Sequence, residues 1–181
     1  MTLALELAKR INAFSYGDLP PDAIHWAKVG MLDYTGVTLA GGREDAARLV
    51  ERALAPGAGP SVVFGADRRV GPLDAAAING AASHALDFDD CNNTFGGHPS
   101  APILPALFAL ADDVGASGRD FLTAYVTGFE VETKIAMGVH FHHYTKGWHP
   151  TATLGTFGAA AACAKLMGLN EERTATALAI A

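Results

Sequence analysis

The sequence predicts an all-α protein made of a single domain that covers residues 1–181. Apolar residues recur at helical spacing along most of the chain, and no stretch alternates convincingly between apolar and polar residues as a half-buried strand would. Small residues are concentrated in the most apolar segment, at Gly155, Gly158 and the alanines at 159–162, where they would let helix backbones approach closely. We therefore expect tightly packed helices rather than a loose bundle.

Local signals mark where several of these helices begin. A proline pair at 20–21 precedes an apolar-periodic run, and proline is tolerated in a first helical turn because the N–H groups there lack partners. Ser117 and Asp120 have the spacing of a capping box, and Asn170 stands before two acids as an N-cap does. The predicted helices cover residues 3–14, 19–41, 44–54, 73–86, 101–114, 118–138, 151–167 and 171–181, and a short strand is possible at 61–64.

Composition argues against several classes of partner and location. The net charge is −6 and the isoelectric point is near 5.5, so the chain has no electrostatic footprint for nucleic acid. The two cysteines do not form a CxxC pair, which leaves a disulfide framework or a structural zinc site unsupported. The N-terminus has no signal-peptide core, and glycines and Lys165 interrupt the apolar run at 151–169, as in a buried core helix. We expect a cytoplasmic protein that does not enter a membrane.

Apolar residues are more abundant than is usual for a soluble monomer. Half of the residues are hydrophobic and the mean hydropathy is +0.19. The chain also ends within a helical pattern, TATALAIA, without a capping glycine. These two features predict a piece of a larger fold, whose surplus apolar surface is covered by a partner subunit or by further polypeptide.

Acidic and imidazole side chains gather at residues 74–100, although only 18% of the residues are charged. If the preceding helix continues through residue 90, His84, Asp87 and Cys91 share one face. The alternative is a helix end decorated with solvated acids, but the helix dipole disfavours carboxylates at a C-terminus. We therefore favour a cleft that contains His84 and Asp87, with Asp90 capping or orienting the loop.

A second polar segment lies at residues 144–150, immediately before an apolar helix. His149 adjoins the start of that helix, where the positive end of the dipole favours a neutral imidazole that can accept a proton. Lys146 would supply a cation for a carboxylate. His98 precedes another helix, with Ser100 as its expected N-cap, and is either a functional group or an ordinary surface histidine. The functional interpretation depends on whether the two polar segments meet in space.

Two other interpretations of these residues remain open. The histidines of the HFHH motif at 140–143 could bind a metal ion together with Asp89 and Asp90, as in a metal hydrolase. Their i, i+2, i+3 spacing is not that of a helical zinc site, and histidines at a helix end also suit the dipole without any metal. Cys91 could be a nucleophile activated by His84 or His98, although a free cysteine is more often a small filler.

Four collinear motifs carry a family resemblance, namely NGAASHALDFDD, HPSAPILPALFALAD, GASGRDFLTAYVTGFEV and GWHPTATLGTFGAAAACAKLMGLN. Together with the N-terminal stretch LPPDAIHWAKVGMLDYTGVTLAGG, they resemble the MmgE/PrpD family, which includes 2-methylcitrate dehydratase and cis-aconitate decarboxylase. The resemblance implies the N-terminal part of a large all-helical domain, with a smaller α/β lid domain absent from this chain. It also implies a homodimeric lyase that uses neither a metal nor an organic cofactor.

The resemblance further implies a set of site residues. Matched position by position, these are Asp87, Cys91, His98 and His149, and the family's remaining lysines and lid residues would lie beyond residue 181. Cys91 stands where the better-known members usually carry threonine, so the exact substrate is not fixed by the motifs.

The resulting hypothesis is a lyase that acts on a di- or tricarboxylic acid and eliminates water, as 2-methylcitrate dehydratase does, by acid–base proton transfer. His149 is the expected acid or base at the reacting carbon, His98 a carboxylate ligand or second proton-transfer group, and Asp87 an orienting group. Decarboxylation and epimerisation remain alternatives, and so does an incomplete fragment, or half of a split enzyme, that serves as an assembly module. Further substrate contacts are expected from Cys91, Lys146 and His84.

Overall fold

Helices dominate the computed structural model, which describes residues 2–139 and 141–181. A single 3-10 turn, Tyr16–Asp18, separates the first two helices, and a small antiparallel pair of strands, β1 (Ala58–Val62) and β2 (Arg69–Val70), follows the third. The all-α prediction is therefore confirmed. The helices are α1 (Leu3–Ala13), α2 (Pro21–Gly41), α3 (Asp45–Leu54), α4 (Pro72–Ser83), α5 (Ser100–Val114), α6 (Gly118–Val139), α7 (His142–Thr145), α8 (Pro150–Thr153), α9 (Gly155–Leu166) and α10 (Glu171–Ile180).

The capping signals at two helices are confirmed. The Ser117 hydroxyl accepts from the backbone N–H of Asp120 at 3.2 Å, and the Asp120 carboxylate accepts from the Ser117 backbone at 3.1 Å. The side chain of Asn170 accepts from the backbone N–H of Arg173 at 3.0 Å. In each helix an orphan N–H of the first turn is satisfied by a side chain.

The fourth helix ends earlier than the sequence predicts. α4 ends at Ser83, His84 is its C-cap, and Asp87 has a left-handed backbone with φ of 55°. The continuous face expected for His84, Asp87 and Cys91 is therefore wrong. The acids that follow bond to histidines and to the next helix instead of prolonging α4, because these tertiary partners outweigh local helix propensity.

Two further boundaries differ from the sequence prediction. Ser100 is the first residue of α5 and not its N-cap, since its N–H and hydroxyl both donate to Asp90. The apolar helix predicted at 151–167 is divided at Leu154, which ends α8 and begins α9. Leu154 is buried and packs with Phe95 and Ala136.

Small residues bring α6 and α9 into close contact, as the sequence predicts. A Cβ on Gly128 of α6 would lie 2.6 Å from the carbonyl oxygen of Gly158 on α9, which is too short for any real contact. A Cβ on Gly158 would in turn clash with the carboxylate of Glu132. These glycines set the spacing of two helices whose ends both reach the candidate site described below.

The carboxyl group of Glu132 is fully buried in this interface and neither of its oxygens has a hydrogen-bond partner. Burial, with a smaller contribution from Asp90, raises the pKa of Glu132 to about 10. Loss of hydration penalises the ionised form, so the group holds its proton at neutral pH.

Side-chain hydrogen bonds connect the chain's two ends. The Lys165 ammonium of α9 donates to the backbone carbonyls of Ile11 and Asn12, at 2.8 and 3.2 Å, where α1 ends. A cation at a helix C-terminus satisfies carbonyls that have no partner within the helix. The Asn12 side chain also donates to Leu169, next to α10.

Large apolar side chains remain exposed on the outer surface, as the composition predicts. Trp26 and Leu32 of α2 are 66% and 75% exposed, and Leu73 is 88% exposed. Among the described residues, no helix combines the length and apolarity needed to cross a membrane.

Candidate active site

Asp90 anchors the loop that follows α4. Its carboxylate accepts from the Ser100 hydroxyl at 2.6 Å and from the Ser100 backbone at 3.2 Å, at the start of α5. The Tyr125 hydroxyl, from α6, lies 2.6 Å from the same serine oxygen. Burial, reinforced by the nearby carboxylates of Asp89 and Asp33, raises the pKa of Asp90 despite these hydrogen bonds. The loop is thereby fixed to two helices of the core.

Asp89 is the buried acid of the site. Its side chain is 3% exposed, and its Oδ1 lies 2.9 Å from Nδ1 of His84 and 3.3 Å from Nδ1 of His98. The first contact is a hydrogen bond. The second lacks hydrogen-bond alignment, which leaves the buried Nδ1 of His98 without a partner. One carboxylate thus lies between two imidazoles and fixes the orientation of His84.

Asp87 lies on the solvent side of the same cluster. Its side chain is 80% exposed and its Oδ1 is 3.5 Å from Nε2 of His98. The left-handed backbone, which aspartate adopts more readily than most residues, turns the chain at this point. Asp87 therefore reaches His98 from outside, whereas Asp89 reaches it from inside.

The two polar segments meet in space. The backbone N–H of His98 donates to the hydroxyl of Thr151, two residues after His149, at 2.9 Å. Gly97 makes this approach possible, because a Cβ there would lie 2.6 Å from the same hydroxyl. The imidazole of His149 consequently lies 6.2 Å from that of His84 and 6.4 Å from that of His98, measured between ring centroids.

A buried aromatic residue holds the connecting loop. Phe95 is completely buried between α6 and Leu154, and the side chain of Asn92 accepts from the backbone N–H groups of Thr94 and Phe95. The backbones of Asn92 and Gly97 also pair across the loop. The loop that carries His98 is therefore a fixed turn.

A cavity of about 340 Å³ opens in front of these histidines. Its volume lies within the range of roughly 300–1,000 Å³ that is typical of small-molecule sites. His98 and His149 contribute to its wall, with Cys91 at the edge and Phe95 at the base. None of the described residues that line it is a lysine or an arginine; the remaining lining residues are Asn92, Asn93, Gly96, Gly97, Ala136, Val139, Phe141, His143, Tyr144, Pro150 and Leu154.

Three residues expected at the site differ from their predicted setting. Lys146 is exposed at the end of α7 and does not line the cavity. His149 precedes a helix of only four residues, so the dipole expected to act on it is small. Cys91 is exposed, and Cys163, the second cysteine, lies in α9, where burial raises the pKa of its thiol to about 11.

The two histidines of the HFHH motif that the structure describes, His142 and His143, do not form the metal cluster considered from the sequence. His143 bonds to the Thr153 hydroxyl at 2.6 Å and stacks on Trp148, and His142 is exposed. His140 lies outside the described residues. Asp89 contacts His84 and His98 instead of these histidines.

The arrangement is suited to proton transfer. An imidazole held by a carboxylate at Nδ1 exposes Nε2 as acceptor or donor, and imidazole is the side chain that exchanges protons most readily near neutral pH. Sequence reasoning missed the central role of Asp89, because helical periodicity assigned it to a different face from His84. The interruption of periodicity by three acids in four residues was the only local signal that the helix ends earlier.

Comparison with known proteins extends these observations. The sequence model of the MmgE/PrpD N-terminal domain matches residues 5–181. The cis-aconitate decarboxylase-like protein oryM of Aspergillus oryzae is 33% identical over 188 residues, which cover 97% of this chain and 39% of that protein. The cis-aconitate decarboxylase of Homo sapiens is 40% identical over 130 residues, or 67% of this chain and 26% of that protein.

A third relative, the cis-aconitate decarboxylase of Aspergillus terreus, is 30% identical over 174 residues, which cover 91% of this chain and 35% of that protein. The chain therefore spans well under half the length of each of these relatives. Because the family match extends over nearly the whole helical structure, the chain belongs to the MmgE/PrpD family and carries its N-terminal domain.

Proposed function

We propose that the chain supplies the histidine- and aspartate-bearing part of a lyase site that removes carbon dioxide from a tricarboxylic acid of the cis-aconitate type. The observation that carries the proposal is the convergence of His98 and His149 on one cavity, with Asp89 behind His98. The names of the relatives favour decarboxylation over the elimination of water, which was the first expectation from the motifs.

The reaction requires a proton donor at a defined carbon. In cis-aconitate the C–C bond to the carboxylate of the methylene arm breaks, and its electron pair forms a new double bond to the central carbon. The electrons of the old double bond then take up a proton at the former vinylic carbon. One proton is consumed, and carbon dioxide and a dicarboxylic acid are formed, so general-acid catalysis by an imidazolium would accelerate this step.

Within this proposal His149 is the proton donor. Its side chain is exposed at the cavity wall and makes no hydrogen bond to the other described residues, so its ring nitrogens are accessible to a substrate. His98 would contact a substrate carboxylate, or relay the proton, from the opposite side of the wall. Asp89 and Asp87 are positioning residues whose carboxylates lie 3.3 and 3.5 Å from the two ring nitrogens of His98 and would hold its imidazole in place.

Charge balance suggests that the site is completed by other polypeptide. A tricarboxylate carries up to three negative charges, whereas the described lining offers imidazoles and no lysine or arginine. Cys91 lines the cavity and would contribute a polar contact, whereas His84 and Lys146 do not line it and would have to turn toward it. We propose that further cations come from chain that is not part of these 181 residues or from a second subunit, in keeping with the expected homodimer.

The exposed apolar side chains of Trp26, Leu32 and Leu73 favour a second, assembly role for the domain. Sedimentation of the purified chain tests it: self-association or aggregation at micromolar concentration is expected, and a stable, freely soluble monomer would contradict it.

The cytoplasmic location and the absence of a cofactor both remain predictions.

Product analysis tests the lyase proposal. The chain, and any longer polypeptide from the same reading frame, would be incubated with uniformly ¹³C-labelled cis-aconitate and followed by NMR. We expect labelled carbon dioxide or bicarbonate and a dicarboxylic acid in equal amounts. A hydroxylated tricarboxylic acid would instead show water addition, the reverse of a dehydratase reaction, and no conversion by the longer polypeptide would overturn the proposal.

A further inference from the structure

The loop between α4 and α5 places four metal-ligating side chains around one point. His84, Asp87, Asp89 and His98 each offer a nitrogen or oxygen atom, and these atoms all lie within 4.8 Å of one another. Ligand atoms on a tetrahedral zinc ion, at bond lengths of roughly 2.0–2.1 Å, are separated by about 3.4 Å. The ligand atoms must therefore draw closer together, and Asp87, whose Oδ1 lies 3.5 Å from Nε2 of His98, must turn toward the Nδ1 side of the ring for all four to reach one ion.

Some side chains of this cluster are held in place by the fold, and one is free to move. Asp89 is buried, and its Oδ1 is already 2.9 Å from Nδ1 of His84 and 3.3 Å from Nδ1 of His98. Asp87 is 80% exposed, so its carboxylate can turn without disturbing the core. Three ligands are thus held in place by the fold and the fourth can close over the ion.

A buried polar atom in the cluster lacks a partner. Nδ1 of His98 is inaccessible to solvent and makes no hydrogen bond, although Asp89 lies close to it. A buried polar atom left unsatisfied costs free energy, and a cation shared with Asp89 would satisfy it. The two carboxylates would also neutralise the two charges of a divalent ion.

We propose that His84, Asp87, Asp89 and His98 form a binding site for a divalent transition-metal ion, with zinc as the best fit. The two imidazoles suit zinc and cobalt better than magnesium or calcium, which prefer oxygen ligands alone, and carboxylates also bind zinc. The site is separate from the described part of the HFHH motif, where His143 bonds to Thr153 and His142 is exposed.

The ion would act as an inhibitor and not as a reagent. His98 lines the cavity, and an ion on Nδ1 of its imidazole would leave only an N–H at Nε2, so that the ring could no longer accept a proton and pass it on. This consequence rests on the proposed function, whereas metal binding itself does not. Zinc would then block the lyase reaction reversibly without any part in the chemistry.

Calorimetric titration of the chelator-treated chain with Zn²⁺ tests the binding site. We expect one ion per chain, with affinity reduced at least ~100-fold by Asp89→Asn or His84→Ala, since even the loss of an outer-shell partner costs roughly 10–100-fold. Asp87→Asn, which removes the charge at an exposed position and tolerates the left-handed backbone, should also weaken binding. Bound Co²⁺ should give the visible absorption bands of tetrahedral coordination in the wild type and not in these ligand variants.

Matched histidine variants provide the controls. His25→Ala, on α2, and His142→Ala, in the HFHH motif, should leave zinc binding unchanged. The proposal is overturned if no ion binds at 100 µM Zn²⁺ (about the level of adventitious surface sites), if Asp87→Asn binds as the wild type does, or if His142→Ala abolishes binding. If neither the wild type nor any variant had lyase activity, only the proposed function would be refuted, because calorimetry measures zinc binding directly.

Discussion

Glu132 provides a quantitative test of the helix interface behind the site. Its carboxyl is fully buried between α6 and α9 without a hydrogen-bond partner, and burial raises its pKa from 4.5 to about 10. In the folded protein the group is neutral at physiological pH, whereas in the unfolded chain it ionises near its ordinary value. The free energy of unfolding must therefore depend on pH through this residue.

The direction and size of that dependence follow from the two pKa values. Because the folded-state pKa is raised, the stabilising contribution of the neutral group is fully present below about pH 4.5 and is lost progressively as the pH rises toward 10. Each pH unit in this window costs about 1.4 kcal/mol. Between pH 5 and pH 8 the wild type should lose about 4 kcal/mol through this group alone.

Urea unfolding of Glu132→Gln, followed by circular dichroism at several pH values, measures the effect. Glutamine is close in shape and does not titrate, so the difference in unfolding free energy between variant and wild type should shift by about 4 kcal/mol in favour of the variant from pH 5 to pH 8. Glu130→Gln is the matched control, since Glu130 lies on the same helix but is exposed and pairs with Lys134 at 3.6 Å. A constant difference between Glu132→Gln and wild type across this range would refute the reasoning.

Further predictions concern packing and thiol reactivity. Phe95→Ala should lower the free energy of unfolding by about 3–5 kcal/mol in urea titrations, because the ring is completely buried. Gly128→Ala should cost about 1–3 kcal/mol, since the new Cβ would lie 2.6 Å from a carbonyl of α9, whereas Gly138→Ala, on the same helix with nothing within 4 Å, should be neutral or stabilising by up to about 1 kcal/mol. At pH 8 an aromatic disulfide reagent should label the exposed Cys91 rapidly and Cys163 slowly, because burial raises the pKa of Cys163 to about 11.

Each of these predictions has a contradicting outcome. A Phe95→Ala protein as stable as the wild type would mean that the loop is not anchored in the core. Equal stability of Gly128→Ala and Gly138→Ala would mean that α6 and α9 do not touch at Gly128. Labelling of both thiols at the same rate would mean that Cys163 is accessible.

Most of the helical framework could be predicted from the sequence, because its helices have both apolar periodicity and capping residues. Ser117 and Asn170 begin helices where the capping rules place them. The sequence predicts close packing at the glycines of α9, and Gly158 permits it against Glu132 of α6. The capping residues are predictable because they act within a few residues of the chain, and the close packing is predictable because it needs only a small residue at the contact.

The parts of the site that the sequence did not predict depend on distant partners. α4 ends at Ser83 because Asp90 bonds to Ser100, which in turn bonds to Tyr125, and no local pattern reveals these contacts. Asp89 becomes the buried acid for the same reason, although periodicity favoured Asp87. The sequence does not show whether the two polar segments meet, because their meeting depends on the contact of Gly97 with Thr151.

The most direct test of the proposed site is the rate of carbon dioxide release from cis-aconitate by His149→Ala, measured beside His142→Ala in a polypeptide shown to be active. His149 lines the cavity, whereas His142 is exposed on the same segment and does not. If His149 transfers the proton, its variant should be slower by about two to four orders of magnitude, and His142→Ala should stay within about twofold of the wild type. A His149→Ala protein that releases carbon dioxide at the wild-type rate would contradict the assignment.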